Sequence, residues 1–341
     1  ATRPRSWTRR PPSSDAPGSV RAGHTGTVSN VEVVHPRFVP LGTGDGFQVG
    51  RVLPQRALSL IGGWCFLDHF GPGADTMRVA GHPHTCLQTV TWLFSGEIRH
   101  QDALGSDIVV RPGEVNLMTA GWGITHTEYS ESDEPLHGVQ LWTALPEASR
   151  FVGPHFEHFA TEPVRIDDHE VAVFVGQLGD GDSPVAVYSP MVGAEVRFTS
   201  EDPLVVDVDE GWEFGVLADS GTVYFDDVEI PQTMLGYRPP GHRQLRLRAD
   251  ANPGHVVRAI VIGGQPLDED IVMWWNFVGR SHEEIVAWRA NYMAGIGAEQ
   301  GGDNPNNFAL TVRTNDDPEI PAPPLPGVRL RPRHRRPSSG K

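Results

Sequence analysis

Four residues in the stretch 81–128 have the types and spacing of metal ligands. A His-x-His pair, His82 and His84, stands at one end, and a His-x-Glu pair, His126 and Glu128, stands at the other. Because strand side chains alternate between two faces, the members of each pair project to the same side of a strand. If the two strands lie near each other, three imidazoles and one carboxylate converge on one point.

This donor set indicates an open metal centre. In six-fold coordination, three histidines and one glutamate leave two positions for water, substrate or dioxygen, whereas a structural zinc is more often four-coordinate and closed, commonly with cysteine ligands. Imidazole and carboxylate suit divalent iron, manganese, nickel, copper or zinc. A ligating imidazole normally gives its second nitrogen to an outer acceptor, and Asp102, Glu97 and Gln140 are the candidates for that role.

The residues around these pairs favour strands over helices. Residues 90–94 are rich in β-branched and aromatic side chains, and turns containing Gly or Pro follow at 95–97, 112–113 and 120–123. Short strands at a spacing of roughly 8–12 residues, divided by Gly and Pro, are typical of sandwiches and barrels. The sequence therefore predicts a small antiparallel barrel or jelly roll, with the ligand pairs pointing inward.

Several runs carry a closer resemblance to a known family. They are residues 66–72 (FLDHFGP), 81–92 (GHPHTCLQTVTW), 111–113 (RPG), 118–128 (MTAGWGITHTE), 136–142 (LHGVQLW), 263–267 (GGQPL) and 281–285 (SHEEI). Together they resemble the pirin family, over roughly residues 30 to 293. Pirins are cupins with two barrels that bind one iron in the N-terminal barrel. The resemblance therefore implies Fe(2+) held by His82, His84, His126 and Glu128, although the donor types alone leave Mn, Ni, Cu and Zn open.

The predicted fold class is all-β, with two cupin (double-stranded β-helix, jelly-roll) barrels and a C-terminal helix. The second half offers only single histidines and no ligand pairs, so it is interpreted as a degenerate cupin barrel. Ser281 and Glu284 form a capping box that predicts a helix ending at Gly295. The predicted organisation is a disordered tail (1–27), a metal-binding barrel (28–150), a second barrel (151–265), a segment with the helix (266–299) and a flexible basic tail (300–341).

Composition sets limits on the environment and the partners. Two cysteines in 341 residues argue against a disulfide scaffold and for a reducing compartment. No apolar run approaches the ~20 residues that span a bilayer, and no secretory signal is visible, so a cytoplasmic protein without a membrane association is expected. The net charge is −15 although both ends are rich in arginine. So acidic a body is expected to repel nucleic acid.

Other chemically capable residues receive structural interpretations. His69 and His100 are not expected to be ligands, although a role in shaping the pocket stays open for both. His137 is expected to pack within a strand, and Cys86 to be a buried inert thiol. Most of the tryptophans Trp92, Trp142, Trp274 and Trp275 are expected in the core.

Two positions depart from the family pattern. Trp122 stands where pirins commonly have an arginine before the Gly-Ile-x-His-x-Glu element, and Gln88 belongs to a run that often reads Arg-Gly-Phe-Glu in pirins. The four ligands are intact, so these changes affect the rim and charge of the cavity. Gln88 is also expected to remove an acid or base near the metal.

The resemblance implies two alternative functions. The first is a quercetinase-like dioxygenase acting on a small aromatic, flavonol-like substrate, in which Glu128 loosens from the metal and acts as the catalytic base. His82, His84 and His126 would remain as permanent ligands. The alternative is a non-catalytic, iron-dependent and redox-responsive protein that regulates a transcription factor or a metabolic enzyme as its partner. The sequence leaves the choice between an oxidoreductase and a partner protein open.

Overall fold

The computed structural model describes residues 30–41, 47–73, 76–251, 254–299 and 317–332. Within this part, the chain is all-β except for one helix, α1 (His282–Gly295). The strands of the first half are β1 (Glu32–Val34), β2 (Arg37–Pro40), β3 (Gln48–Leu53), β4 (Trp64–Gly73), β5 (Arg78–His84), β6 (Leu87–Ser95), β7 (Ile98–Asp102), β8 (Asp107–Val110), β9 (Glu114–Thr119), β10 (Ile124–Ser130), β11 (Leu136–Ala144) and β12 (His155–Ala160). The strands of the second half are β13 (Val164–Ile166), β14 (His169–Leu178), β15 (Gly181–Asp182), β16 (Met191–Phe198), β17 (Leu204–Asp207), β18 (Glu213–Ser220), β19 (Val223–Phe225), β20 (Val228–Ile230), β21 (Leu235–Arg238), β22 (Gln244–Ala249), β23 (Val257–Gly264), β24 (Val272–Trp274) and β25 (Phe277–Gly279).

Each barrel consists of a large and a small antiparallel sheet, as in a jelly roll. In the first barrel, a seven-stranded sheet (β12-β9-β6-β11-β4-β3-β2) accompanies a four-stranded sheet (β5-β10-β7-β8). In the second barrel, the large sheet (β1-β21-β18-β23-β16-β14-β13, with β15 on β14) accompanies the four-stranded sheet β17-β22-β19-β20. The prediction of an all-β protein with two cupin barrels and a C-terminal helix is confirmed.

Two strands cross the boundary between the barrels that the sequence suggests. The first strand of the described chain, β1, pairs with β21 of the second barrel, with Glu32 opposite Tyr237. In return, β12 pairs with β9 of the first barrel, with His155 opposite Thr119. The division at residue 150 therefore does not separate the sheets, because each barrel takes one edge strand from the far side of that division.

Side-chain alternation explains which strands face water and which are buried on both sides. In β22, Leu245, Leu247 and Ala249 are fully buried while the arginines between them are exposed or half-buried. In β6, by contrast, both faces are buried: Val90 and Trp92 belong to the core between the barrels, and Thr91 faces the interior of the first barrel. Strand β6 therefore separates the interface between the two barrels, which we call the seam, from the interior of the first barrel.

The large sheets of the two barrels pack against each other through this shared core. The indole of Trp64 donates to the backbone oxygens of Val192 (3.1 Å) and Gly263 (3.2 Å) across the seam. Trp92 stacks on Phe174 with ring centroids 4.9 Å apart. Such aromatic pairs add about 0.5–1.5 kcal/mol each beyond the apolar area that they bury.

Helix α1 begins as its sequence predicts. The Ser281 hydroxyl accepts the Glu284 N–H at 3.2 Å, a cap that stabilises a helix by about 1 kcal/mol. The buried face comprises Ile285, Trp288, Asn291, Tyr292 and Met293. It packs against the β24–β25 hairpin in a cluster that also contains Cys86. No helix in the described residues is long and apolar enough to cross a membrane.

The segment that follows is partly ordered along α1, unlike the predicted flexible tail. Within residues 317–332, Ala322 is buried, and the Ile320 N–H donates to the Gly81 oxygen at 2.7 Å. The Tyr292 hydroxyl donates to the Ile320 oxygen at 2.9 Å. These partners satisfy the polar backbone of an extended proline-rich segment, which composition alone does not reveal. The predicted tail at 1–27 and the rest of 300–341 lie outside the described residues.

Candidate metal centre

Strands β5 and β10 bring three of the predicted ligands together. The strands pair antiparallel with His82 directly opposite His126, so His84, two residues along β5, faces the same side. The ring centroids are 4.4 Å apart for His82 and His126, and 5.0 Å apart for His84 with each of the other two. One nitrogen of each histidine lies within 4.8 Å of the others, and all three residues are buried. We call this group the pocket cluster.

Hydrogen bonds on one side of these rings leave the other nitrogens available. His82 Nδ1 lies 2.9 Å from the Ala80 oxygen, and His84 Nδ1 lies 3.2 Å from the Asn276 oxygen. Because a carbonyl only accepts, both histidines carry their proton on Nδ1 and a lone pair on Nε2. The Nε2 atom of His126 is buried and has no hydrogen-bond partner among the described residues. A bound divalent metal would satisfy this orphaned atom, so the residues fit a metal centre.

Burial keeps the pocket cluster uncharged. The pKa of His82 falls to about 4, chiefly because burial disfavours the charged form. Burial and the neighbouring histidines hold the pKa values of His84 and His126 well below their ordinary value. At neutral pH the three imidazoles are therefore neutral, which is the form that binds metal.

Glu128 lies beside the histidines in an overlapping group. Its carboxylate and ring nitrogens of His126 and His100 all lie within 4.8 Å of one another. It accepts the Thr91 hydroxyl at 3.3 Å, and burial raises its pKa. Three residues of β10, His126 to Glu128, lie opposite four residues of β5, His82 to Val79, which is an irregularity of the bulge type. Glu128 pairs directly with His100 on β7, and it lines the same cavity as His82 and His84.

His82, His84 and Glu128 line a cavity of about 300 Å³, the lower end of the range for small-molecule sites. Trp142 and Phe66 form one wall, with rings stacked 3.9 Å apart, and Trp142 also meets the edge of His84. Arg51 forms a two-pronged pair with Asp68 at 2.9 and 2.7 Å. The lining residues are Pro40, Leu41, Arg51, Phe66, Asp68, Met77, Val79, His82, His84, Glu128, Gln140, Trp142, Trp275, Asn276 and Ile320.

Three of these lining residues come from beyond the barrels. Trp275 and Asn276 form the turn between β24 and β25, and Ile320 belongs to the segment 317–332. The cavity is therefore completed by the C-terminal part of the chain. Trp142 and Trp275 line the cavity, whereas the sequence predicts most of the four tryptophans to lie in the core.

The predicted outer acceptors lie elsewhere. Asp102 contacts His100 rather than a ring of the pocket cluster, and Gln140 accepts the Thr91 hydroxyl at 2.9 Å. Glu97 pairs with Arg111 near the surface. Backbone oxygens of Ala80 and Asn276 take the role instead, and no side-chain pattern in the sequence marks them.

His100 lies closer to the candidate metal ligands than the sequence indicates. It lies on β7 opposite Glu128, and its ring centroid is 5.1 Å from that of His126. The available signal was the His-x-Asp spacing of His100 and Asp102, which repeats the i,i+2 pattern on the neighbouring strand.

The positions that depart from the family pattern lie away from the cavity wall. The Gln88 amide donates to the Thr119 hydroxyl and to the Ala186 oxygen of the second half, at 3.0 and 2.9 Å. The expected loss of an acid or base near the metal at Gln88 is therefore wrong. Trp122 is 40% exposed and lies next to Gly153. Cys86 is an inert buried thiol, as expected, since burial raises its pKa to about 12.

A second histidine group lies at the seam of the barrels. Nε2 of His69 and Nε2 of His137 both contact one carboxylate oxygen of Asp219, at 2.7 and 2.6 Å. The Arg258 guanidinium donates to the other oxygen at 3.2 Å. Burial acts to raise the pKa of Asp219, but the hydrogen bonds from His137 and His69 lower it well below its ordinary value. We call His69, His137 and Asp219 the seam cluster.

The fold and the site together define a class. The chain is a two-barrel cupin with a buried histidine cluster in its N-terminal barrel, and the cluster could hold a metal. Residues 46–143 match the Pirin family, and residues 193–296 match the Pirin C-terminal cupin domain.

Individual relatives agree with the family match. A protein of Pseudomonas aeruginosa, named provisionally as a quercetin 2,3-dioxygenase, is 38% identical over 290 residues, which are 83% of this chain and 87% of that protein. A pirin-like protein of Caulobacter vibrioides is 32% identical over 272 residues, 73% of this chain and 89% of that protein. The crystal structure of a quercetin 2,3-dioxygenase from Acinetobacter baumannii has a TM-score of 0.78 and 32% identity, with 89% of this chain and 97% of that chain covered. The chain belongs to the pirin family.

Proposed function

We propose that this protein is an iron(II)-dependent dioxygenase of the quercetinase type, with His82, His84, His126 and Glu128 as the metal ligands. The observation that carries the proposal is the convergence of three buried histidines, His82, His84 and His126, with one nitrogen of each within 4.8 Å of the others, beside a cavity of about 300 Å³ that His82 and His84 line. Supporting it, the relative from Pseudomonas aeruginosa and the structure from Acinetobacter baumannii both carry quercetin 2,3-dioxygenase names.

The residues of the cavity suggest how a flavonol would bind. The stacked Phe66 and Trp142 offer an aromatic wall for a flat ring system, and Arg51 offers positive charge beside it. When bound to the pocket cluster, iron(II) would supply a Lewis acid with open coordination positions for substrate and dioxygen. Glu128 would loosen from the metal and take the proton of the flavonol hydroxyl, a role favoured by the raised pKa of its buried carboxyl group.

Oxygen uptake tests the proposal directly. Protein reconstituted anaerobically with iron(II) is mixed with quercetin in air-saturated buffer, beside the variants His126→Ala and His158→Ala. His158 is a half-buried histidine on β12 outside the pocket cluster, so it is the matched control. We expect uptake by the wild type and by His158→Ala and none by His126→Ala. Equal uptake by both variants would refute a metal-centred reaction.

The second candidate is the iron-dependent partner protein. Two features of the cavity favour this candidate. Its volume of about 300 Å³ is small, and two of its lining residues, Trp275 and Ile320, come from beyond the barrels. Wild-type protein that holds one iron and takes up no oxygen with quercetin would favour this candidate over the enzyme.

A further inference from the structure

Behind the pocket cluster, a row of buried groups on β7 holds His126. His126 Nδ1 lies 3.3 Å from His100 Nδ1, and His100 Nε2 lies 3.3 Å from Asp102 Oδ2. All three residues are at most 3% exposed. The other oxygen of Asp102 accepts the backbone N–H groups of Leu104 (2.9 Å) and Ser106 (3.1 Å), so the row is anchored to the turn that follows β7.

The direction of each hydrogen bond in this row follows from its anchored end. A carboxylate that accepts several N–H groups is stabilised in its ionised form, which only accepts. His100 must therefore carry a proton on Nε2, and a ring with this single proton keeps a lone pair on Nδ1. His126 then donates from Nδ1 and keeps its own lone pair on Nε2, which is the buried atom without a partner.

The three histidines differ in how firmly this proton placement is fixed. His82 and His84 face backbone oxygens, which are acceptors under all conditions. His126 faces another imidazole, which becomes a donor at Nδ1 if its own proton moves. Asp102 prevents that move by holding the proton of His100 on Nε2. The ring plane of His100 is held in addition by Phe156, stacked at 4.6 Å.

We propose that His100 and Asp102 are positioning residues of the metal centre, which fix His126 in the tautomer that carries its lone pair on the buried, unpartnered Nε2 atom. This inference rests on the proposed metal site. Neither residue lines the cavity, so their effect is exerted through His126.

The test measures metal affinity rather than turnover. Metal-free protein is titrated with Co²⁺ in competition with a chromophoric chelator, and the visible absorption of the bound Co²⁺ reports on its coordination. His100→Phe keeps the ring volume and the stacking on Phe156 but removes the acceptor. We expect an affinity about 10–100-fold below that of the wild type, the usual cost of losing an outer partner of a ligand, with a changed absorption spectrum.

A rescue variant and a control separate positioning from packing. His100→Asn places a carbonyl oxygen close to the former Nδ1, so most of the affinity is expected to return. His169→Phe alters a buried histidine of the second barrel, whose Nε2 lies 2.8 Å from the Asp202 oxygen, and is expected to leave the affinity unchanged. Asp102→Asn can donate to His100 Nε2 and reverse the row. The Asp102→Asn variant is expected to weaken metal binding, and it replaces His100→Phe as the test of the positioning role if His100→Phe does not fold.

The outcomes distinguish two failures. Wild-type affinity in His100→Phe, or an equal loss in His100→Asn and His100→Phe, would overturn the positioning role while the metal site stands. A wild-type protein that binds no Co²⁺, Fe²⁺ or Zn²⁺ would overturn the proposed function, and the positioning role with it.

Discussion

The pocket cluster and the seam cluster use nearly the same residue types for opposite chemistry. In each cluster, at least two buried or nearly buried histidines have a nitrogen within 4.8 Å of a nitrogen or carboxylate oxygen of a third residue. In the pocket cluster, the Nδ1 atoms are engaged in hydrogen bonds, and His82 and His84 line a cavity. In the seam cluster, the Nε2 atoms themselves are bound to Asp219, and Arg258 compensates the charge of that carboxylate.

The comparison shows that neighbours, rather than residue type, decide what a buried histidine does. In the seam cluster, the Arg258 guanidinium lies 3.2 Å from Asp219 and repels a second cation, such as a metal ion. One carboxylate oxygen of Asp219 already accepts two hydrogen bonds. In the pocket cluster, by contrast, no hydrogen bond between the described residues joins one histidine of the cluster to another. We therefore interpret the seam cluster as a structural junction between the barrels, and the pocket cluster is the group that could hold a metal.

The largest effect is expected from removing ligands of the pocket cluster. The double variant His82→Gln/His84→Gln loses two of three imidazole donors and is expected to fall from one bound metal per chain to almost none after iron loading and gel filtration. The matched seam variant His137→Gln is expected to keep its metal. Elemental analysis of the eluted protein measures both. Metal lost from His137→Gln and kept in the double variant would reverse the assignment of the two clusters.

The sequence predicts the pocket cluster better than the seam cluster because its information is local. His-x-His and His-x-Glu specify faces of two strands, and their pairing needs only one antiparallel contact, His82 with His126. The seam cluster joins β4, β11 and β18, so Asp219 is 150 residues from His69 in sequence. No spacing rule connects residues brought together by the packing of two barrels.

Irregular features limit the sequence-based prediction within the site and the fold. The irregular register between β5 and β10 displaces Glu128 relative to a regular ladder, although period-two alternation places it correctly on the inner face. The exchange of β1 and β12 between barrels depends on long-range edge pairing. Fold class, helix α1 and the histidine pairs, in contrast, follow from periodicity and capping residues.

A smaller but substantial effect is expected at the seam. Asp219→Asn removes the charge that faces Arg258 and leaves His69 and His137 competing for one amide oxygen. Breaking a buried pair by removing one partner costs about 3–5 kcal/mol, so the urea midpoint of unfolding should fall while metal content stays unchanged. Asp107→Asn breaks an exposed pair with Arg99 and is the control, with an expected cost below about 1 kcal/mol. Equal losses in both variants would contradict the junction role.

The smallest effect separates the clusters by their response to acid. Metal-free folded protein keeps His82 neutral down to a pKa of about 4, whereas the unfolded chain takes up that proton near its ordinary pKa of about 6.5. The unfolded state thus binds more protons between these values, and stability is lost as the pH falls through this window. The share of one such histidine is about 2 kcal/mol between pH 6.5 and pH 5.

The seam cluster responds in a lower window, because the pKa of Asp219 is shifted downward and its stabilisation is lost only below the ordinary carboxyl range. Urea unfolding of metal-free protein at pH 7 and pH 5 should therefore show a smaller loss in His82→Gln than in the wild type, by about 2 kcal/mol. Asp219→Asn should lose as much between these pH values as the wild type. If His82→Gln and the wild type lose the same stability, the histidine is not held neutral by burial, and the contrast between the two clusters fails at its electrostatic basis.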